Sequence, residues 1–160
     1  MDEKIYRNMM GKFATGVTVV ATENKGKIYG MTANAFMSVS LTPKLVTISI
    51  NNDAKILENI IETSKFSINF LSSEQQELSE IFANRIHNDY NIVFERLDGI
   101  PTLPNAMAQI ACILETKYVV GDHTLLVGEV TDVYSNMDEN TPLIFYEGTY
   151  HSLKENSMKK

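Results

Sequence analysis

Gln109-Ile110-Ala111-Cys112-Ile113-Leu114-Glu115-Thr116-Lys117-Tyr118-Val119-Val120-Gly121-Asp122-His123-Thr124-Leu125-Leu126-Val127-Gly128-Glu129-Val130-Thr131-Asp132-Val133-Tyr134 is the most informative stretch of this chain. Ile110, Cys112, Leu114, Tyr118 and Val120 alternate with Gln109, Glu115 and Lys117, the period of a strand with one buried face. Gly121-Asp122 supplies a turn, and Leu125 to Tyr134 runs back as a second long strand. A long antiparallel hairpin in the last third sets the expectation of a mostly β protein.

Working outward, the same signals recur. Val17 to Thr22 is β-branched, Glu23-Asn24-Lys25-Gly26 reads as a turn, and Lys27 to Phe36 returns. Met37 to Leu41 stays extended as far as Thr42-Pro43, and Leu45 to Ile50 alternates. Lys65 to Leu71 sets Phe66, Ile68 and Phe70 opposite Ser67 and Asn69. A final strand is expected over Leu143 to Tyr150. Three short helices interrupt the strands. The first is capped by Asp2, carries Ile5, Met9 and Phe13 on one stripe, and ends by Gly16. The second is capped by Asp53 with Ile56, Leu57, Ile60 and Ile61 behind it. The third spans about Glu74 to Phe82, with Ser73-Glu74-Gln75-Gln76 at capping-box spacing. Residues 84–105 are least regular, with Pro101 and Pro104 interrupting, and a loop of that length is usually functional or mobile. Six or seven mostly antiparallel strands favour a closed or partly closed barrel over a parallel sheet.

Bulk properties bound the function. One domain is expected from 160 residues, with 44% hydrophobic and 21% charged residues ordinary for a soluble globule. A net charge of −6 argues against a protein that coats nucleic acid. Met1-Asp2-Glu3-Lys4 lacks a signal-peptide core and no apolar run is long enough to cross a membrane, so the cytoplasm is the expected home. The lone Cys112 forbids an internal disulfide, makes a thiolate zinc site implausible, and is expected in the core. His87, His123 and His151 have no metal-ligand spacing, so no metal is expected. GxGxxG, GxxxxGK[ST], HExxH and GxSxG are all missing.

One segment does carry chemistry. Gly30-Met31-Thr32-Ala33-Asn34-Ala35-Phe36-Met37-Ser38-Val39-Ser40 places small hydroxyl and amide side chains where a strand should carry larger apolar ones. Small residues leave backbone polar groups open, and Thr32, Asn34 and Ser38 add directed hydrogen bonds. A flat heteroaromatic ligand with polar edges suits such a surface; so does an edge strand with one solvated face.

Met10-Gly11-Lys12-Phe13-Ala14-Thr15-Gly16-Val17-Thr18-Val19-Val20, followed by Gly30-Met31-Thr32-Ala33-Asn34, resembles the opening of the flavin reductase family. Ser38-Val39-Ser40-Leu41-Thr42-Pro43, Gln76-Glu77-Leu78-Ser79-Glu80-Ile81-Phe82-Ala83, Gly121-Asp122-His123-Thr124 and Pro142 to Tyr150 agree in order. The resemblance covers roughly residues 5–152. It implies an antiparallel, Greek-key FMN-binding split barrel over residues 1–152, with 153–160 as a flexible tail. It also implies a homodimer with flavin near the interface. The implied activity is NAD(P)H:flavin oxidoreduction on FMN or FAD, with reduced flavin passed to a partner monooxygenase. A non-catalytic FMN-binding electron carrier or flavin store is the alternative, since fold does not decide function. An accessible nicotinamide site, suggested by the 84–105 loop and the Gly121-Asp122-His123-Thr124 turn, would favour the enzyme.

The matching segments place Thr32, Ala33, Asn34 and Ala35 against the flavin, with Ser38 and Val39 close by. Family members often carry Ser where Ala35 stands. Lys55 and Arg85 are candidates for the phosphate, Phe82, Ala83 and Tyr150 for cofactor binding, and Tyr146 and Tyr150 either wall the pocket or pack as core aromatics of the barrel. The family usually shows hydroxyls where Asp53 and Ala54 stand, which weakens the match there. His123 would lie beside flavin and nicotinamide as the catalytic residue, orienting them through a ring N–H. His87 and Asp89 read as loop residues.

Overall fold

In the computed structural model, residues 1–86, 91–137 and 140–153 are described. His87 and Asp89 lie outside them, as does 154–160, so most of the expected tail does too. The described residues fold as a mostly β, antiparallel structure with three short helices.

The long hairpin forms as expected: β9 (Ala108–Val120) pairs antiparallel with β10 (His123–Ser135) about the Gly121-Asp122 turn. It is the middle of a seven-stranded sheet. On one side lie β6 (Lys65–Phe70), β2 (Thr18–Asn24) and β3 (Lys27–Ala33); on the other lie β5 (Lys44–Asn51) and β4 (Phe36–Leu41). The ladder order is β3-β2-β6-β9-β10-β5-β4, so β3 and β4 are its two ends. Yet only Asn34 and Ala35 separate them in sequence. The three Cα steps from Ala33 to Phe36 span at most about 11 Å, so the sheet must curl to bring its ends near each other. The expected single strand from Lys27 to Phe36 is therefore broken at Asn34-Ala35, because the chain has to change neighbours there.

Val20, Ile48, Ile50, Phe66, Ile68, Cys112 and Leu126 fill the inside of the curl, closed by Ile56, Leu57 and Ile60 of α2 (Lys55–Thr63). A second cluster of Val17, Val19, Leu71, Leu103 and Leu143 lies under α3 (Gln76–Phe82) and a small sheet. That sheet joins β1 (Thr15–Gly16), β11 (Leu143–Tyr146) and β12 (Thr149–Ser152). The final strand expected over Leu143 to Tyr150 is thus a hairpin. Glu147 (φ 49°) and Gly148 (φ 80°) are both left-handed, as a two-residue turn requires.

Other boundaries differ for local reasons. Helix α1 (Glu3–Met10) starts where expected, the Asp2 carboxylate accepting from the Lys4 N–H at 2.7 Å, but stops at Gly11. Ile5, Met9 and Phe13 are 58%, 60% and 79% exposed, so among the described residues the expected apolar stripe stays largely uncovered. The α2 cap position is Ala54, without a side-chain bond, because Asp53 is drawn into a turn closed by the Asn51 side chain. The capping box is Ser72 with Gln75, one residue early, and opens a 3₁₀ turn ahead of α3.

Much of the 84–105 segment is pinned instead of free. β7 (Glu95–Leu97) and β8 (Ile100–Thr102) form a hairpin, with Ile100, Thr102 and Leu103 buried. Asn69 accepts from the Leu103 N–H at 2.8 Å, Ser67 donates to the Pro101 carbonyl at 2.5 Å, and Gln75 donates to the Pro104 carbonyl at 2.9 Å. Buried polar side chains of β6 and of the 3₁₀ turn hold the later part of this stretch, while Asn91 to Val93 and Leu103 to Asn105 line a pocket beside α3.

Candidate functional site

The corner Asn34-Ala35 is where the sheet changes edges, and small side chains let it turn tightly. The Ser49 N–H donates to the Ala35 carbonyl at 3.1 Å, docking the corner on β5. Two residues further along β5, Asn51 pairs with His123, the first residue of β10. Two strand residues rise about 6.7 Å, and β4 and β10 flank β5 on opposite sides at about 4.8 Å each, so the corner and the His123 backbone lie about 12 Å apart. Two sequence segments nearly 90 residues apart thereby share one end of the sheet.

On the His123 side, the imidazole Nδ1 lies 2.7 Å from the Asp122 carboxylate. That contact, both as hydrogen bond and as charge, holds the exposed Asp122 carboxyl below its ordinary value of 3.8. With Nδ1–H so directed, Nε2 is the ring atom left for a ligand. The turn is tied to the start of α2: the Asn52 N–H donates to the Asp122 carbonyl at 2.9 Å, and Thr124 donates to the Asn52 side-chain oxygen at 2.8 Å. Lys55, exposed, begins that helix three residues later.

On the other side of the corner lies a cleft of about 160 Å³. Thr32, Ala33, Asn34, Ala83, Arg85 and Tyr150 line it, together with Val17 and Phe145. Ser79 anchors two walls: Thr32 donates to its carbonyl at 2.6 Å and the Tyr150 hydroxyl meets its side-chain oxygen at 2.7 Å. The Arg85 guanidinium stands 5.5 Å from the Phe145 ring and 5.8 Å from the Tyr150 ring, a cation over an aromatic pair packed edge to face. The Asn34 side-chain amide donates to the Thr15 hydroxyl at 3.2 Å, and its backbone carbonyl accepts from the Phe36 N–H at 2.9 Å.

The sequence-derived residues fall into three groups. Thr32, Ala33, Asn34, Ala83, Arg85 and Tyr150 come together in the cleft. Ala35 joins them to the His123 and Lys55 end through Ser49. Ser38 and Val39 sit on the edge strand β4, Val39 being the extra residue of a bulge and 48% exposed. Phe82 does not line the cleft; its ring lies over Gly30 and against Phe94, and so supports the wall from behind. Tyr146 turns its ring to His151, and Phe145 takes the wall position instead. Sequence reasoning missed Ser79, Phe145 and Asn52. The capping pattern hid the first, alternation along the closing motif contained the second, and nothing local tied the third to His123.

Cys112 lies in the core away from this end, as expected, and burial pushes its thiol up to about 12. Among the described residues, no group of three or more His, Cys, Asp or Glu is placed to hold a metal ion. No helix is long and apolar enough to cross a membrane.

Comparison with known proteins finds relatives in sequence and in fold. The family model described as a flavin reductase like domain matches residues 10–154. An NADH-dependent flavin reductase of Rhodococcus sp. is 40% identical over 92% of this chain and 85% of its own length. The reductase component of 4-hydroxyphenylacetate 3-monooxygenase from Thermus thermophilus is 34% identical over 94% of this chain and 97% of its own length. The solved structure of the flavin reductase PheA2 in its native state superposes with a TM-score of 0.93 at 50% identity, covering 97% of this chain and all of that one. With a family match across nearly its whole length, this chain belongs to the flavin reductase like family.

Proposed function

We propose that this protein is an NAD(P)H:flavin oxidoreductase. It takes FMN or FAD at the Asn34-Ala35 corner and releases reduced flavin to a partner flavin-dependent monooxygenase, as the Thermus relative's name describes for that protein. The observation that carries the reading is the docking of the corner on Ser49 of β5, the strand whose Asn51 pairs with His123, which supports one site reaching from Asn34 to His123.

The residues present fit a flavin. Ala33 and Ala35 give a flat approach, and the side-chain oxygen of Asn34 suits a ring N–H. Arg85 and Lys55 supply cations for a phosphate that a chain of net charge −6 would otherwise repel. When bound, the flavin supplies a hydride-accepting ring, so the chain needs no nucleophile or acid–base dyad. Its own work is orientation: His123, aimed by Asp122, directs Nε2 toward flavin and nicotinamide, and the Tyr150–Phe145 pair keeps water from one side.

A 160 Å³ cleft is well below the 300–1,000 Å³ that encloses a ligand of this class. The missing wall supports a homodimer in split-barrel form, with a second copy covering Met37, Val39 and Leu41 of the edge strand β4. Residues 1–152 form the catalytic domain, and the cytoplasm, with its NAD(P)H pool, is the working compartment.

The test is a flavin titration followed by anaerobic NADH and NADPH addition. Micromolar flavin binding with pyridine-nucleotide-dependent bleaching is expected. No binding overturns the site; binding without bleaching overturns the enzyme in favour of a flavin carrier.

A further inference from the structure

The His123 turn is held by a residue 69 to 72 positions away from its bonding partners in the sequence. Asn52 is exposed, yet it contacts the turn at three points. Its backbone N–H donates to the Asp122 carbonyl at 2.9 Å. Its side-chain oxygen accepts from the Thr124 hydroxyl at 2.8 Å, and its side-chain N–H₂ reaches the Gly121 carbonyl at 3.3 Å. The residues bonded to Asn52 therefore flank His123 on both sides. The imidazole is in turn bonded to the Asp122 carboxylate, so ring, turn and the start of α2 form one connected unit.

We infer that Asn52 is a positioning residue for flavin reduction, acting through His123 by fixing the Gly121–Thr124 turn against the start of α2. This rests on the role proposed for His123. The geometry separates that of Asn52 from general stability. An exposed side chain buries no apolar surface, so its loss leaves the core untouched. The ladder between β5 and β10 is made by other backbone groups and survives it. What changes is the freedom of the turn, and a catalytic group that wanders by a fraction of an ångström loses rate before it loses binding.

The experiment compares wild type, Asn52→Ala, His123→Ala and the double variant, each checked for an unchanged thermal midpoint, by anaerobic stopped-flow reduction of bound FMN with NADH. Asn52→Ala is expected to slow reduction about three- to tenfold, the scale of one lost orienting hydrogen bond, with FMN affinity held within about twofold. In the His123→Ala background the same substitution is expected to change nothing further. Thr124→Val, which removes only the donor to Asn52, is expected to reproduce part of the loss. Reduction at the wild-type rate in Asn52→Ala overturns the inference, and so does an equal penalty with and without His123. If His123→Ala itself reduces at the wild-type rate, the role proposed for His123 fails instead, and that result is separately visible.

Discussion

Replacing Gly30 by alanine tests how the cleft wall is supported. Gly30 sits on β3 in ordinary extended backbone, so its lack of a side chain is required by a neighbour and not by dihedral freedom. A Cβ built there falls 2.4 Å from Cε1 and 2.6 Å from Cδ1 of Phe82, inside any real contact distance. The ring cannot simply swing away, because it packs on the Val17–Leu71–Leu103–Leu143 cluster and lies edge-on to Phe94 at 6.2 Å. Overpacking of this kind costs about 1–3 kcal/mol. Alanine recovers about 0.5–1 kcal/mol by restricting the unfolded chain. At mid-range values the clash wins by about 1 kcal/mol, or about 2–4 °C in Tm for a chain of this size. Relief requires α3 to move outward, and α3 carries Ala83 and Arg85 at its end. FMN affinity should therefore fall along with Tm. Differential scanning calorimetry and an FMN titration read the two effects. Phe82→Leu should absorb most of the penalty when combined with Gly30→Ala. A Gly30→Ala protein with wild-type or higher Tm would refute the reasoning.

Lys55→Ala should weaken FMN several-fold and riboflavin hardly at all, since only FMN carries a phosphate; equal losses in parallel fluorescence titrations would remove Lys55 from the site. His123→Ala should slow NADH-driven flavin reduction by up to about tenfold while sparing flavin binding, with an unchanged rate counting against its role. Cys112, its thiol pushed up to about 12 by burial, should resist alkylation at pH 8 until the protein is unfolded, as mass spectrometry after iodoacetamide would show. Asp122 has its folded pKa lowered by His123, so its contribution to stability is present above the unfolded value of 3.8 and lost as pH falls through the folded one. Asp122→Asn should therefore narrow the gap to wild type below pH 4 in acid-unfolding curves, the contribution being small because the group is exposed.

What was legible in the sequence depended on whether the cause was local. The β9–β10 hairpin shows in alternation and a Gly-Asp turn, both written within 26 residues. The corner at Asn34-Ala35 shows only as an oddity of composition; that it must turn there follows from the ladder order, which no window contains. Helix α1 is amphipathic, but amphipathicity does not say what the apolar face meets, and here it meets solvent in a single chain. The 84–105 stretch reads as loose because its anchors, Ser67, Asn69 and Gln75, lie on other elements. Asn52 and Ser79 were invisible for the same reason: their side-chain partners are 69 and more positions away. Family motifs pointed to residues that line the cleft where local physics left them ambiguous, and Phe82, named with them, lies behind the cleft against Gly30.

The most direct test of the central claim is a crystal structure of the protein grown with FMN. The flavin ring is predicted to lie against the Asn34-Ala35 corner, with the His123 imidazole on its far side and the phosphate toward Lys55 or Arg85. Flavin density confined to the groove between α1 and the β11–β12 hairpin, or to the pocket beside α3 at Glu74 and Glu77, would contradict it.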